Sequence, residues 1–420
     1  MSQDRFATLR SLLQRPSSLE EWNHLITFLQ QWPDAGQQQL AVDYAEMHLN
    51  TWDDRHRIAK EINPELPWWS LIRHVNLQNA NTSESIAALE SNQEVLAQIT
   101  CLTLGALSRY QKVTRILSER SGLSELTYLD LERRALSGTE LKQLMRAPAL
   151  QSLQELHLNG THLTSNDWRE LFSSAFVSSV RRFALTRGML DFESLAALAQ
   201  SPHLRLEELL LDATLQDPMA ATMLASATSL RELKALRLRF PLQLQPAEIL
   251  FRSPLFQGVD TLELRTVGNS AFWRLFVQAH QLSDLRSLTF SRSAFDNDSW
   301  RVFLTSPALQ QLEHLCFFSC DVMGRRLEAF RQTPFPRLTH LDLSLNTLNE
   351  QACKALARHK ELPELRKLVL GHCRLTNDSV GALLRAPWMK GLEVLDLRGN
   401  AHLTASFRKW IEQNYTNVLL

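Results

Sequence analysis

A repeat of 26 or 27 residues is the feature of this 420-residue sequence that most restricts its fold. The clearest copies read Leu-x-x-Leu-x-Leu, and weaker copies fill the intervals between them, so the middle apolar residue of each copy can serve as a marker. The markers are Val75, Leu102, Leu129, Leu156, Phe183, Leu209, Leu236, Leu262, Leu288, Leu315, Leu341, Leu368 and Leu395. A fixed period of this length indicates one structural unit per repeat, so the sequence predicts a stacked array of thirteen units.

Each copy predicts a short strand followed by a helix. The Leu-x-Leu alternation places both leucines on one face of a strand. Helical spacing follows, as in residues 377–384, and a proline such as Pro387 then closes the helix. Because helices are wider than the roughly 4.8 Å between strands, stacked units should curve, with parallel strands on the concave side and helices on the convex side.

These units resemble the leucine-rich-repeat family, and the full helix in each period is similar to its ribonuclease-inhibitor-like class. Tails such as residues 383–388 resemble bacterial repeat proteins of that class. The resemblance covers about four fifths of the chain, and it implies an α/β leucine-rich-repeat solenoid (horseshoe) with a parallel concave sheet, convex helices and a small N-terminal helical segment. It says little about activity, because this fold serves many binding roles.

The family usually places asparagine, or sometimes cysteine, five residues after the marker, where a buried side chain bonds the turn backbones of stacked units. Asn346, Asn400, Cys320 and Cys373 fit that pattern here. Thr161, Thr214 and Ser293 also hold the position, whereas Ala80, Leu107, Arg134, Gly188, Pro241 and Val267 depart from the pattern. The resemblance therefore implies less regular turns in the first half of the array.

Three segments are expected along the chain. Residues 1–66 lack the leucine pattern and predict three or four short helices that form an N-terminal segment or cap, with a capping box at Ser17-x-x-Glu20. Residues 67–403 form the array. Residues 404–420 predict a C-terminal capping helix, because an uncapped end repeat would expose its core. In the first segment one helical face is expected to carry Trp22, Leu25, Ile26 and Leu29, and Leu40, Tyr44, Met47 and His48 continue this pattern. In the last helix, Phe407, Trp410 and Ile411 are expected to face inward.

Composition narrows the classes of function. Lys plus Arg and Asp plus Glu both total 45, so no global field favours nucleic acid or an anionic membrane. Five cysteines, an odd number, do not indicate a disulfide framework. No stretch reaches the eighteen consecutive apolar residues that a membrane-spanning helix needs. The sequence therefore predicts a reduced, cytoplasmic protein without nucleic-acid or membrane partners; its oligomeric state cannot be read.

An enzyme is not expected. The sequence contains no Gly-rich phosphate loop, His-Glu-x-x-His, Gly-x-Ser-x-Gly or paired Cys-x-x-Cys motif. His314, Cys316, His340 and Asp342 should lie on adjacent strands, which would suit a nucleophile pair or a metal site. A polar binding surface explains the same residues equally well, and the sequence indicates neither an oxyanion hole nor an enclosing cleft. We therefore expect no catalytic residue, metal or cofactor.

The predicted function is a non-catalytic protein-protein interaction scaffold that binds its partner on the concave face. The alternative is a bacterial effector or regulator whose N-terminal helical segment recruits a separate enzyme or ligase. Arginine and aromatic side chains are the usual anchors of interfaces. The predicted partner-binding residues are Tyr128, Arg237, Arg239, Arg265, His314, Phe318 and His340. Asp212 is expected beside Arg239 and Glu263 beside Arg237, as opposite charges on neighbouring strands often are.

Overall fold

A computed structural model describes most of the chain, which divides into two compact units. The described residues are 2–78, 82–91, 94–105, 116–117, 122–131, 136–160, 163–188, 190–212, 218–266, 270–322 and 324–420. Unit 1 comprises Met1–Met189 with Pro202–Leu204, and unit 2 comprises Leu190–Ser201 with Arg205–Leu420. The division of the chain into segments at residues 66 and 403 stays a prediction.

Unit 1 begins with three helices and continues as alternating strands and helices. The helices in its described residues are α1 (Ser2–Leu13), α2 (Leu19–Gln30), α3 (Ala35–His48), α4 (Thr82–Ser91), α5 (Gly138–Met145) and α6 (Ser165–Ser173). The strands are β1 (Ile58–Ala59), β2 (His74–Leu77), β3 (Cys101–Leu104), β4 (Tyr128–Leu131), β5 (Glu155–Asn159) and β6 (Arg182–Thr186). They pair in chain order, all parallel.

Unit 2 repeats the same alternation of helix and strand. Its described helices are α7 (Phe192–Ala199), α8 (Pro218–Ala225), α9 (Leu244–Arg252), α10 (Ser270–Gln278), α11 (Asn297–Phe303), α12 (Gly324–Phe330), α13 (Glu350–Ala357), α14 (Asn377–Leu383) and α15 (Ala405–Asn414). The strands are β7 (Glu208–Asp212), β8 (Ala235–Leu242), β9 (Thr261–Thr266), β10 (Ser287–Ser291), β11 (His314–Phe318), β12 (His340–Asp342), β13 (Lys367–Val369), β14 (Val394–Asp396) and β15 (Val418–Leu419). They also pair in chain order and in parallel.

The strand register in each unit follows the sequence repeat. Within each unit, every marker lies directly opposite the next, for example Leu129 opposite Leu156 in unit 1 and Leu341 opposite Leu368 in unit 2. The markers are at most 3% exposed. A one-residue slip would turn this buried column out of the core, so hydrophobic burial holds the register. The strand-plus-helix units expected from the repeat are confirmed.

Polar caps start the repeat helices at a fixed distance from the marker, which the sequence analysis missed. The side chain eight residues after the marker accepts a hydrogen bond from the backbone N–H three residues further on. This holds for Ser137, Thr164, Asp191, Asp296, Asn349 and Thr376. Each cap satisfies a backbone donor that the first helical turn leaves without a partner.

Asparagine and cysteine side chains tie consecutive turns together at the position that the resemblance implied. Asn346 Oδ1 accepts from the N–H groups of Cys320 and Val322 at 3.0 Å each, and its Nδ2 donates to the carbonyl of Phe317 at 2.6 Å. Asn400 makes the equivalent bonds to the preceding turn: its Oδ1 accepts from the N–H groups of Cys373 and Leu375, and its Nδ2 donates to the carbonyl of Leu370. The thiol of Cys320 donates to the carbonyl of Phe290 at 3.2 Å. These buried bonds fix the edge of the sheet where the strands end. Thr161, Thr214, Ala80, Leu107, Arg134 and Val267 lie outside the described residues.

The residue four positions after the marker often turns the backbone into the left-handed region. Its φ lies between 48° and 75° at Gly160, Arg187, Arg292, Ser319, Leu345, His372 and Gly399. Glycine adopts this conformation without strain. Gly399 has a second reason to be glycine, since a Cβ there would lie 2.3 Å from the ring of His372. Other side chains at this position accept a small backbone strain and point out of the turn.

The end segments differ from their predicted details. Ser18, rather than Ser17, caps α2 by accepting from the N–H of Glu21. Leu40 and Met47 are 61% and 75% exposed, because α3 packs through the smaller residues Ala41, Val42 and Ala45. Each end also adds a two-residue strand that the sequence analysis missed, β1 beside β2 and β15 beside β14.

The C-terminal helix packs through fewer residues than expected. Ile411 of α15 is buried, whereas Trp410 is 45% exposed and stacks on Phe407, with ring centroids 5.6 Å apart. The prediction that Trp410 faces inward was therefore wrong.

We expect Asn346→Ala to lower the free energy of unfolding by about 2–4 kcal/mol, because backbone groups of two consecutive turns lose a buried partner. Chemical denaturation measures this. Asn297→Ala, which removes an exposed amide from the first turn of α11, is the control and should cost under about 1 kcal/mol. Equal losses in the two variants would show that the buried bonds add nothing beyond ordinary surface contacts.

We further expect the free energy of unfolding to decrease as the pH falls, because His359 is protonated more easily in the unfolded chain than in the folded one. This side chain is 1% exposed, its Nδ1 accepts from the N–H of Glu361 at 3.2 Å, and burial lowers its pKa to about 4. The unfolded chain binds the proton first, so stability decreases from about pH 6.5 toward pH 4. Between pH 7 and pH 5 His359 alone should contribute a loss of about 2 kcal/mol.

Denaturation of His359→Gln at both pH values tests this expectation. The variant should lose that part of the pH dependence, and the exposed-residue control His402→Gln should keep all of it. An unaltered pH dependence in His359→Gln would contradict the assignment.

Candidate functional site

One face of each unit's sheet carries the polar side chains of the strands. Residues one before, one after and three after the marker alternate with the buried leucines, as in the half-buried Tyr128 and Asp130 beside the buried Leu129 and Leu131. We call this surface of each unit its polar face. Because the markers of neighbouring strands lie opposite each other within a unit, residues close to the marker at one repeat position form a row across these strands.

A buried carboxylate organises the polar face of unit 1. Glu155 on β5 is 5% exposed. Its Oε2 lies 3.0 Å from Arg182 Nη1 on β6 and 3.3 Å from Arg55 Nη1, and its Oε1 lies 2.8 Å from His157 Nε2. We call these four residues the Glu155 cluster. Arg55 belongs to the 3-10 turn Asp54–His56, so the N-terminal segment contributes directly to this face.

Neighbouring polar and charged groups keep the members Glu155 and Arg55 of the Glu155 cluster ionised. Burial raises the pKa of Glu155, but the hydrogen bond with His157 and the charges of Arg55 and Arg182 outweigh it, so the pKa lies below its ordinary value. On the other side, Asp53 makes a side-chain hydrogen bond that raises the pKa of Arg55. Both groups therefore stay ionised at neutral pH, and the cluster acts as a clamp between β5, β6 and the turn.

Tyr128 lies beside this clamp in an open cavity of about 370 Å³. Its ring makes edge contacts with His74 and His157 at centroid distances of 5.7 and 5.1 Å. Burial raises the pKa of its phenol, so the hydroxyl stays a donor, and it lies 3.4 Å from Asp130 Oδ2. The predicted contact residue is thus half-buried on the polar face of unit 1.

The arginine pairs of unit 2 differ from those expected. Arg237 Nη1 lies 3.0 Å from Glu208 Oε2 on the preceding strand. Arg239 holds both oxygens of Glu263 in a bidentate pair, at 2.9 and 3.1 Å. Glu263 lies directly opposite Arg237 in the register, as expected, but its carboxylate pairs with Arg239 instead. No salt bridge joins Arg239 to Asp212 in the described part of the chain. Strand β8 shifts register between Leu238 and Pro241, so the row of Arg239 moves relative to β9.

A cavity of about 450 Å³ opens on the polar face of unit 2. Its lining residues are Asp212, Arg239, Glu263, Arg265, Thr289, Ser291, Arg292, Cys316 and Phe318. Arg265 is half-buried and Arg292 is exposed, and neither makes a salt bridge to any residue in the described part of the chain. We call this the arginine cavity. Of the predicted contact residues, the cavity brings together Arg239, Arg265 and Phe318.

His314 and His340 form a separate pair on the same face. Their rings stack with centroids 4.2 Å apart and an interplanar angle of 16°. Burial is the main cause that lowers the pKa of each imidazole, and the charge of Lys367 on the next strand lowers both further. The stacked rings are therefore neutral at pH 7 and offer a flat surface rather than a positive one.

The cysteines are poorly suited to nucleophilic chemistry. Cys316 lies opposite Asp342 in the register, and burial, followed by the nearby carboxylate, raises the pKa of its thiol. A reactive thiol needs the opposite shift. Cys320, Cys353 and Cys373 are buried and free, with pKa values raised to about 12 by burial. Among the described residues no group of three or more His, Cys, Asp or Glu side chains could hold a metal ion.

The sequence analysis missed Arg55. It is 100 residues from Glu155 along the chain, so no local pattern could have indicated the contact. Arg292, which follows β10, was not among the predicted contact residues either.

No protein-family model and no curated protein sequence matches the chain. Solved structures do. A chain from the yeast Rad7 and Elc1 complex aligns with a TM-score of 0.51 and 16% identity, over 78% of this chain and 86% of that chain. An internalin from Listeria monocytogenes aligns with a TM-score of 0.36 and 16% identity, over 82% and 91% of the two chains. A Bacteroides fragilis protein aligns with a TM-score of 0.36 and 12% identity, over 70% and 75%.

At such low identity these likenesses bear on the fold alone. The fold is an α/β leucine-rich-repeat solenoid, with all-parallel strands that alternate with helices. In the described part of the chain, no helix combines the length and the apolar character needed to cross a membrane.

We expect Glu155→Gln to lower the free energy of unfolding at pH 7 by about 2–4 kcal/mol, because Arg55 and Arg182 lose a buried counter-charge. The depressed pKa of Glu155 gives stability that is present above about pH 4.5 and is lost as the pH falls through the lower folded value. The gap between wild type and variant should therefore narrow in acid. Denaturation at pH 7 and pH 3 measures it, with the exposed Glu125→Gln as the control. A gap that stays constant with pH would rule out the ionised clamp.

Proposed function

We propose that this protein is a non-catalytic scaffold that binds another protein on the polar face of its sheet. The observation that carries the proposal is the arginine cavity, where Arg265 and Arg292 stand beside the 36% exposed ring of Phe318. Arginine and aromatic side chains are the commonest interface anchors. Buried hydrogen bonds and helix caps already fix the strands that carry these side chains, so little conformational entropy is lost when a partner binds.

The proposed contact residues have unequal roles. Arg265 and Phe318 are free to meet a partner at once, and they form the centre of the surface. Arg237 and Arg239 already pair with Glu208 and Glu263, so they contribute mainly by exchanging or sharing those partners. His314 and His340 supply a stacked apolar surface, and Tyr128 extends the proposal to the polar face of unit 1.

The comparisons support a protein partner in a limited way. The yeast structure with the same fold is a complex of two proteins, Rad7 and Elc1. Neutral net charge and acidic residues among the arginines argue against nucleic acid and against a membrane surface. The protonated thiol of Cys316 supports a non-catalytic role. A cytoplasmic location and a bacterial, ribonuclease-inhibitor-like subclass belong to the same proposal.

The second candidate function assigns partner recruitment to the N-terminal segment. One observation favours it: α3 exposes Leu40 and Met47, seven positions apart and therefore on one side of the helix. Such a surface could recruit a separate enzyme or ligase. The contact of Arg55 with Glu155 makes the segment part of unit 1, so deletion of residues 1–66 would disturb that unit, and point variants are the sharper test.

Affinity capture from cells of the source organism, read by mass spectrometry, compares three full-length variants with wild type. Arg265→Glu with Phe318→Ser alters the arginine cavity. Arg358→Glu with Lys360→Glu alters exposed residues after α13. Leu40→Ser with Met47→Ser alters the exposed side of α3. We expect the first variant to lose the captured partner at least about tenfold and the other two to retain it, since charge reversal at a desolvated anchor costs several kcal/mol.

Thermal melting of each variant confirms that the fold is intact. Loss only in the α3 variant would favour the second candidate function. Loss only in the Arg358 and Lys360 variant would place the interface on the helical side and overturn the proposal.

A further inference from the structure

The two arginines without salt bridges lie on neighbouring strands of the arginine cavity. Arg265 is three residues after its marker on β9, and Arg292 follows the last residue of β10, which pairs with β9. The N–H of Arg292 donates to the carbonyl of Phe318 at 2.8 Å. This bond holds the left-handed turn of Arg292 against the end of β11, so that its side chain starts beside the exposed ring. Two cations and one apolar surface therefore meet at one place.

The charge of the cavity matches a single negative group. Three arginines line it against two carboxylates, Asp212 and Glu263, which leaves one excess positive charge. Glu263 is already taken by Arg239. A carboxylate suits the planar forks of Arg265 and Arg292, whereas a doubly charged phosphate or a nucleic-acid backbone would meet repulsion from Asp212 and Glu263.

The distance between neighbouring strands determines how far apart the acidic group and the apolar group of a ligand must be. A carboxylate between Arg265 and Arg292 lies between β9 and β10, about one and a half strand spacings, or roughly 7 Å, from Phe318 on β11. In an extended peptide, side chains two positions apart point the same way and are separated by about 6.6 Å. An acidic residue and an apolar residue two positions away would thus reach the two arginines and Phe318 together. The hydroxyls of Thr289 and Ser291 line the path between them.

We propose that the arginine cavity binds an extended peptide segment of the form acidic-x-apolar, in either chain direction. The carboxylate sits between Arg265 and Arg292, and the apolar side chain packs on Phe318. This inference rests on the proposed function, since it names the chemistry of the partner at that same face. It differs from the sequence-based prediction, which included Arg239 and not Arg292 among the contact residues, because Arg239 is already paired with Glu263.

A displayed library of random ten-residue peptides, selected against the full chain, tests the inference without knowledge of the natural partner. We expect the enriched peptides to share Asp or Glu two positions from Leu, Ile, Met or Phe. A fluorescein-labelled synthetic copy of the most enriched peptide then gives the Kd. Arg265→Gln with Arg292→Gln should raise the Kd at least tenfold, and changing the acidic residue of the peptide to Gln or Asn should do the same. Arg358→Gln with Lys360→Gln should leave the Kd unchanged.

Several outcomes would overturn the acidic-peptide inference. They are the absence of any enriched peptide, enrichment without an acidic position, an unchanged Kd in the Arg265 and Arg292 variant, tighter binding when phosphoserine replaces the acidic residue, and binding of a labelled single-stranded oligonucleotide that the same variant abolishes.

A failure of the proposed function gives a different pattern. If Phe318→Ser weakens peptides that the arginine variant does not, the polar face still binds protein and only the acidic anchor is wrong. If only the Arg358 and Lys360 variant weakens them, the face itself is wrong. Unchanged melting temperatures in all variants keep the comparison valid.

Discussion

The parallel register of the strands is the constraint on which the rest of this structure depends. Within each unit, each marker lies opposite the next because any slip would carry a buried leucine column onto the polar side. The same register turns a repeat position into a row of side chains across neighbouring strands. Charge pairs, ring stacks and cavities on the polar faces are therefore consequences of burial on the opposite side. The Asn346 and Asn400 bonds add to this by fixing the turn that ends each strand.

Rows of side chains bring charges together whether or not a ligand is present. Some of these charges are used internally, as in the pairs of Arg239 with Glu263 and Arg182 with Glu155. An internal pair must be opened or shared before it can serve a partner, which costs free energy. Arg265 and Arg292 form no salt bridge with another described residue, so a partner can bind them without opening an internal pair. The distinction between paired and unpaired arginines thus separates structural residues from candidate contacts more sharply than residue type does.

The sequence was sufficient for the fold but only in part for the site. Periodicity located the described strands β2 to β14 because burial of leucine at a fixed interval is a local pattern. The resemblance to leucine-rich-repeat proteins implied the ladder position of Asn346. Glu263 lies opposite Arg237 as expected, but it pairs with Arg239, because β8 shifts register after Leu238 and such a shift cannot be read from composition or spacing. Arg55 escaped detection because its contact with Glu155 joins distant residues. Leu40 and Met47 were misplaced because α3 packs through small residues.

The left-handed turn after the strands has a consequence for how such a surface can change. Its conformation is held by the backbone, as at Arg292, whose N–H reaches the carbonyl of Phe318, and glycine, serine, leucine, histidine and arginine all occupy equivalent positions. The backbone conformation at this position is therefore the same for different side chains, so the side chain can be replaced without changing the turn. Substitutions at these sites can alter the recognition specificity of one repeat while its neighbours keep their geometry, so a new binding preference can evolve one repeat at a time.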